Sequence, residues 1–221
     1  MHVVTDGKDR WIGEGKIATG KGYVDPEKPP EWATIFEAKF LDQLQKIKRG
    51  PQAINYKDVG TIISLTGLGK GWRVAEGGSG SGYMTAWLAH IGCRVYSYDI
   101  RKDHLALAKD NLKRLGLKVT FKNKSIFELT EKKLDLVLYD VPNPWDGVDA
   151  AWKSLKTGGY FVSYVPTTNQ VKRWLSSTRE FSEHRVVTST TLDWKTDPLT
   201  FRPKSKTLAH TAFVCVARKL S

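Results

Sequence analysis

Residues 76–82 read Glu-Gly-Gly-Ser-Gly-Ser-Gly, set in the longer run WRVAEGGSGSGYMTAWLA at 72–89. Glycine loses more conformational freedom on folding than any other residue, so four of them in seven positions require a reason. The flanks supply one. Arg73-Val74-Ala75 has the character of a short buried strand, and Tyr83–Ala89 opens well as a helix. The glycines therefore join a strand to a helix N-terminus, where free backbone N–H groups suit the polar or anionic end of a ligand. A dinucleotide fingerprint needs G-x-G-x-x-G. Counted from Gly78 it meets Tyr83, and counted from Gly80 it meets Thr85, in place of the third glycine. A phosphate-binding loop needs Gly-Lys-Ser/Thr, and Gly82 is followed by Tyr83. What remains is an acid, Glu76, followed by G-x-G-x-G.

That pattern resembles the first motif of the Rossmann-like, S-adenosylmethionine-dependent methyltransferases. Their cofactor has no phosphate but carries an ammonium and a carboxylate, so an acid beside a glycine loop suits it. A plain glycine-rich turn is the structural alternative. Gly67-Leu68-Gly69-Lys70-Gly71 repeats the spacing but precedes the strand, as a simple turn would.

Downstream, Cys93–Asp99 (CRVYSYD) alternates with β-forming residues and ends in an acid. An acid at the end of the second strand, about 20 residues past the loop, takes ribose hydroxyls in open α/β folds. Asp99 fits that role, or else caps the helix from Lys102. A second apolar strand runs through LVLYDVPNPW at 136–145 and delivers Asp140 to the carboxyl edge of the sheet. Pro142 and Pro144 stiffen the loop beyond it and remove donors, which leaves backbone carbonyls available. A carboxylate and carbonyls beside an aromatic ring suit the exocyclic amine of a flat base. Trp145 either stacks on that base or packs under the loop, and Asp140 has an N-cap as its structural alternative. A base at this depth must be turned out of its stack.

The 221 residues suit one large domain with a small appendage. Lys and Arg total 35 against 23 acids, a net charge of +12, and the basic residues spread along the chain. Such a balance is the footprint of a nucleic-acid partner, with a solvated lysine-rich surface as the plainer reading. Cys93 and Cys215 sit in strand-like contexts and read as buried hydrophobes; no metal-ligand spacing occurs. No run has the length and apolarity of a membrane span, and the N-terminus lacks a signal peptide's apolar region, which points to a reducing cytoplasm.

The chain divides into a β-rich segment at 1–31, a connecting helix and loop at 32–57, and a methyltransferase domain at 58–221. Apolar positions at helical spacing predict a helix within 33–48. Beyond it strands are expected at 118–122, 134–140 and 159–166, helices near 102–115, 147–155 and 168–180, and a final antiparallel pair at 185–194 and 211–219. The fold class is α/β: a Rossmann-like, seven-stranded, mostly parallel sheet with helices on both faces, preceded by the short N-terminal β-rich segment.

Several stretches taken together carry a more specific resemblance. They are Gly50-Pro51-Gln52 with Lys57-Asp58, EGGSGSG, VYSYDIRKD at 95–103, YDVPNPW at 139–145, Tyr164-Val165-Pro166 with Asn169-Gln170-Val171, and Arg202-Pro203 with His210-Thr211. In this order they resemble the tRNA adenine-N1-methyltransferase family that modifies adenine 58 of the T-loop, particularly its archaeal branch. The resemblance implies S-adenosylmethionine as cofactor, S-adenosylhomocysteine as product, tRNA as partner and a homotetramer, without metal or membrane. It assigns cofactor binding to Glu76, Gly78, Ser79, Gly80, Ser81, Gly82, Asp99, Ser125 and Asp140. Substrate contacts fall to Tyr56, Lys57, Pro142, Trp145, Gln170, Arg202 and His210, and Asp140 is the catalytic residue. The chain departs from the family at Asn55-Tyr56, where an aromatic or His and then Pro are usual, and at Ser125, where Asp is common. Two readings from other classes stand beside this one: a methyltransferase acting on a protein or small molecule, and a non-catalytic tRNA-binding subunit.

Overall fold

The computed structural model describes residues 1–48, 50, 54–205 and 209–221. A small antiparallel sheet comes first. Strand β1 (His2–Thr5) is flanked by β2 (Arg10–Gly13) and β5 (Thr34–Glu37), and β3 (Ile17–Thr19) pairs with β4 (Gly22–Val24). Val4, Ile17 and Val24 form a buried cluster here, with Trp11, Trp32 and Ile35 packed against them, and Val3 is buried as well.

The helix expected within 33–48 is largely absent. Residues 34–37 are drawn into the small sheet as β5, register Val3 to Phe36, and only α1 (Phe40–Leu44) is helical. Thr34, Ile35 and Phe36 are strand formers, and an available edge on β1 overrides a weak helical period. The small sheet thus reaches beyond residue 31. Helix α2 (Tyr56–Thr66), capped by Asn55 and closed by left-handed Gly67, comes next without having been expected from the pattern. The Gly67–Gly71 repeat forms the turn into the next strand, as expected.

The main domain holds β6 (Arg73–Gly77), α3 (Tyr83–His90), β7 (Arg94–Tyr98), α4 (Lys102–Arg114), β8 (Thr120–Lys122), β9 (Leu134–Tyr139), α5 (Val148–Ser154), β10 (Leu155–Val165), α6 (Thr168–Ser177), β11 (Ser182–Val187) and β12 (Phe213–Arg218). Its seven strands lie in the order β11-β12-β10-β9-β6-β7-β8. All contacts from β8 through β10 are parallel, and β12 is antiparallel to both its neighbours. The penultimate strand ends at Val187, short of the expected 194; residues beyond it leave the sheet as an arm in which Trp194 bridges Pro203.

Side chains alternate across the central strands. Val137, Tyr139, Phe161 and Val165 share one core with Trp174 of α6. Leu136, Leu138, Val162 and Val214 share the other with Val59 and Ile62 of α2 and Leu88 of α3. Both faces are covered, which explains why Leu136–Tyr139 of β9 reads as an unbroken apolar run. Strand order reverses at β6, between β7 and β9. Ligands of open α/β sheets bind outside the carboxyl ends of the strands at such a switch point. The EGGSGSG loop leaves β6 there, and Asp140 leaves β9 beside it.

Candidate active site

A cleft of about 500 Å³ opens at the switch point, lined by Gly78, Tyr98, Asp99, His104, Ser125 and Asp140 among others. That volume lies in the range of sites for ligands of cofactor size.

Packing within the protein accounts for part of the glycine loop. Gly78 has φ +92°, and a Cβ there would stand 2.2 Å from the carbonyl oxygen of Asp140. At Gly82, φ +78°, a Cβ would meet Leu112 at 2.6 Å and the Ala108 backbone at 3.2 Å. These two positions let the loop press against β9 and α4. At Gly80, by contrast, a Cβ would meet nothing within 4 Å, and its positive φ of +51° is what favours glycine there. The Gly80 N–H donates to Asp99 Oδ2 at 3.1 Å, tying the loop to the end of β7.

Asp99 is not the cap of α4. The N-cap is Arg101, and Asp99 Oδ1 instead accepts from the Arg101 N–H at 2.9 Å. His104 Nδ1 lies 3.5 Å from Asp99 Oδ2. The carboxylate is nearly buried, preset by donors from two sides, and faces the cleft. Ser125 lines the same cleft, although its Oγ accepts from the Phe127 N–H at 3.2 Å and caps a short 3₁₀ turn at 126–128.

Glu76 departs from its expected place beside the loop. It is 1% exposed and does not line the cleft. Its Oε2 accepts from Thr85 Oγ1 at 2.5 Å and Ser97 Oγ at 2.8 Å, and Ser97 bonds Ser79 Oγ at 2.7 Å. The alternation of β6 turns Glu76 toward α3, whose Thr85 supplies a hydroxyl. Burial raises its carboxyl to about 7 against the pull of those hydroxyls. Ser81 is buried as well, and its carbonyl accepts from Asn111.

Asp140 caps no helix. The 3₁₀ turn at 144–147 is capped from Asn143, and α5 from Gly147. Its backbone N–H donates to the Gly77 carbonyl at 2.9 Å, fixing it beside the loop. The carboxyl, partly open to the cleft, has no hydrogen-bond partner among the described residues, and desolvation raises it to about 7. An acceptor held in place without a partner is poised for a donor from a ligand.

The expected substrate residues divide. Pro142 lines the cleft, but its carbonyl is not bare: Gln170 Nε2 donates to it at 3.3 Å, while Gln170 also closes the capping box of α6 with Thr167. Trp145 takes the packing alternative. The Arg173 guanidinium lies 4.1 Å over its ring, away from the cleft lining, because the 3₁₀ turn carries it onto α6. Lys57 is 8% exposed, with Nζ donating to Asp58 and Thr211 at 2.7 Å, so it is consumed by a buried network instead of facing solvent phosphate. Tyr56 is exposed and lines a separate apolar groove with Leu41, Tyr83 and Trp87. Arg202 is exposed on the arm, and His210 bonds the Pro166 carbonyl at 3.1 Å. Pro51 and Gln52 lie outside the described residues. Sequence reasoning missed Tyr98, His104 and Phe127, all in the cleft wall. His104, five residues past Asp99 in the first turn of α4, was the findable one.

The family model described as the tRNA methyltransferase complex GCD14 subunit matches residues 44–196. The chain belongs to this family. Among similar proteins, the tRNA (adenine(57)-N(1)/adenine(58)-N(1))-methyltransferase TrmI of Methanocaldococcus jannaschii is 28% identical over 83% of this chain and 77% of its own length. The tRNA (adenine(58)-N(1))-methyltransferase TrmI of Thermus thermophilus is 27% identical over 93% and 84%. Of solved structures, the tRNA (m1A58) methyltransferase TrmI of Aquifex aeolicus matches with TM-score 0.85 and 25% identity over 100% of this chain and 96% of its own. A SAM-dependent O-methyltransferase of Thermotoga maritima matches with TM-score 0.86 and 30% identity over 100% and 92%. In this member of the family, the loop, Asp99 and Asp140 converge on one cleft at the switch point.

Proposed function

We propose that the protein transfers a methyl group from S-adenosylmethionine to N1 of adenine 58 in the T-loop of tRNA, with Asp140 as the catalytic residue. One observation carries this reading: the Asp140 carboxyl, without a protein partner among the described residues, stands at the switch point between β6 and β9 and faces the cleft under the glycine loop. The cleft suits the cofactor. Gly78 of the loop lines it beside Asp140, Asp99 is preset to accept ribose hydroxyls, and Ser125 and Phe127 complete the wall. S-adenosylmethionine supplies an electrophilic methyl group on a sulfonium centre.

The residues do the remainder. Adenine N1 has a lone pair and needs no strong base. Its methylation makes the ring cationic, with charge shared onto the exocyclic amine. Asp140, accepting from that amine, stabilises charge that develops only in the transition state. Holding the base by its amine also aligns N1 for in-line attack, and such orientation supplies much of the remaining barrier reduction. The net charge of +12 supports a polyanionic substrate. Assembly as a homotetramer and the division into a β-rich segment and a methyltransferase domain belong to the same proposal.

The name of the Thermotoga neighbour favours a second reading, transfer to oxygen, in which a carboxyl titrating near 7 would serve as base. Single-turnover methylation of unmodified tRNA by Asp140→Asn separates the roles. Loss of one preorganised electrostatic partner costs roughly 3 kcal/mol of barrier, about a hundredfold in rate, with cofactor affinity and melting temperature nearly unchanged. A rate within a few-fold of wild type would remove Asp140 from the mechanism.

A further inference from the structure

Asp58 is fully buried, yet four side chains donate to its carboxylate. Oδ1 accepts from Lys57 Nζ at 2.7 Å and Ser189 Oγ at 2.8 Å. Oδ2 accepts from Tyr164 OH at 2.8 Å and Thr211 Oγ1 at 2.5 Å. Lys57 Nζ closes the cluster onto Thr211 Oγ1 at 2.7 Å. Burial works against the carboxylate's charge, and Lys57 with the three hydroxyls outweighs it, so the carboxyl stays below the ordinary range.

The donors come from separate parts of the fold. Lys57 is on the first turn of α2, and Tyr164 is at the carboxyl end of β10. Ser189 and Thr211 are the two roots of the arm between β11 and β12. One ionised carboxylate therefore fastens α2, the sheet edge and both ends of the arm.

The strand register relates this cluster to the active site. β10 and β9 are parallel, with Ser163 opposite Tyr139, so Tyr164 falls beside Asp140. Leu136 and Leu138 point to the same core as Val162 and Tyr164, so alternation puts Asp140 and Tyr164 on one face. The arm roots add His210, whose ring bonds Pro166 just past β10. The groups that Asp58 holds thus gather beside Asp140 at the carboxyl end of β10.

We infer that Asp58 is a positioning residue: it fixes the Tyr164 phenol beside Asp140 and, at Ser189 and Thr211, the roots of the arm where the methyl acceptor enters. The inference rests on the methyl-transfer reading above. Asp58 touches neither the cofactor cleft nor the reacting atoms. Its loss should reduce the rate of methyl transfer and leave cofactor affinity intact.

Removing the charge alone strands the buried Lys57 ammonium, so stability and positioning must be separated. In Asp58→Asn the single-turnover rate with saturating cofactor and tRNA should fall roughly tenfold or more, while the Kd for S-adenosylhomocysteine stays within about twofold. Lys57→Met combined with Asp58→Asn removes the unpaired ammonium. It should recover melting temperature but not rate. Tyr164→Phe, which loses a single hydroxyl, should fold normally and show the same split. Hydrogen exchange needs no substrate: Asp58→Asn should speed exchange in peptides from 182–205 and leave 73–82 unchanged. A rate that recovers together with stability in the double variant, or an unchanged arm in hydrogen exchange, overturns the inference. Wild-type protein that binds S-adenosylhomocysteine but methylates no tRNA would refute the functional reading instead, and the exchange experiment still decides whether Asp58 holds the arm.

Discussion

Glu76→Gln tests the interior of the site through stability. Glu76 is sealed beneath the glycine loop, and burial raises its carboxyl from 4.5 to about 7. The folded protein therefore binds this proton more tightly than the unfolded chain. Below about pH 4.5 both states are protonated and the group costs nothing. As pH rises toward 7 the unfolded chain ionises first, so stability falls, and above about 7 the full penalty applies. Each tenfold difference in proton affinity is about 1.4 kcal/mol, which makes the penalty roughly 3 kcal/mol. The amide of the variant keeps the shape and donates to the Thr85 and Ser97 hydroxyls, and it does not titrate. Asp58, whose lowered carboxyl contributes in the opposite direction, is common to both proteins and cancels in the difference. Urea unfolding at pH 5 and pH 8 measures that difference. The variant should gain on wild type by roughly 2–3 kcal/mol between the two. Parallel stability curves across that range would show that Glu76 titrates normally and that its hydroxyl cluster is not the enclosure described.

Desolvation at Asp140 makes the activity pH-dependent. Its carboxyl is raised to about 7 and must be ionised to accept from the amine, so kcat/KM for tRNA should climb through pH 6–7 and level off above it; a flat profile over pH 5.5–8 would contradict this. Asp99→Ala should weaken S-adenosylhomocysteine binding by about 1–3 kcal/mol in titration calorimetry, because the ribose hydroxyls lose a preset acceptor. Gly78→Ala forces a side chain onto the Asp140 carbonyl at 2.2 Å in a backbone conformation with φ +92°. It should lower the melting temperature and abolish cofactor binding together, the left-handed strain alone costing about 1–2 kcal/mol.

The sheet and its switch point were legible because their signals are local. An apolar strand, a glycine loop and a helix start fix β6 and α3, and acids at strand ends mark Asp99 and Asp140. What escaped reading depends on groups distant in sequence. Residues 34–37 carry a helical period, yet a free edge on β1 claims them. Lys57 has the sequence context of an exposed cation, but Ser189 and Thr211, more than 130 positions away, close over it. Trp145 follows the proline loop toward the site until Arg173 on α6 draws its ring aside. The glycines of the loop answer to different needs: Gly78 and Gly82 admit the protein's own backbone and side chains, whereas Gly80 serves a left-handed turn of the backbone.

Delivery of a methyl group to N1 of a T-loop adenine is the step on which everything else depends. Nucleoside mass spectrometry of unmodified tRNA, incubated with the protein and methyl-labelled S-adenosylmethionine, measures it directly. The expected result is labelled 1-methyladenosine that maps to position 58 and forms about a hundredfold more slowly with Asp140→Asn. Label in a 2′-O-methylated nucleoside, or tRNA without label under conditions where the protein binds the cofactor, would contradict it.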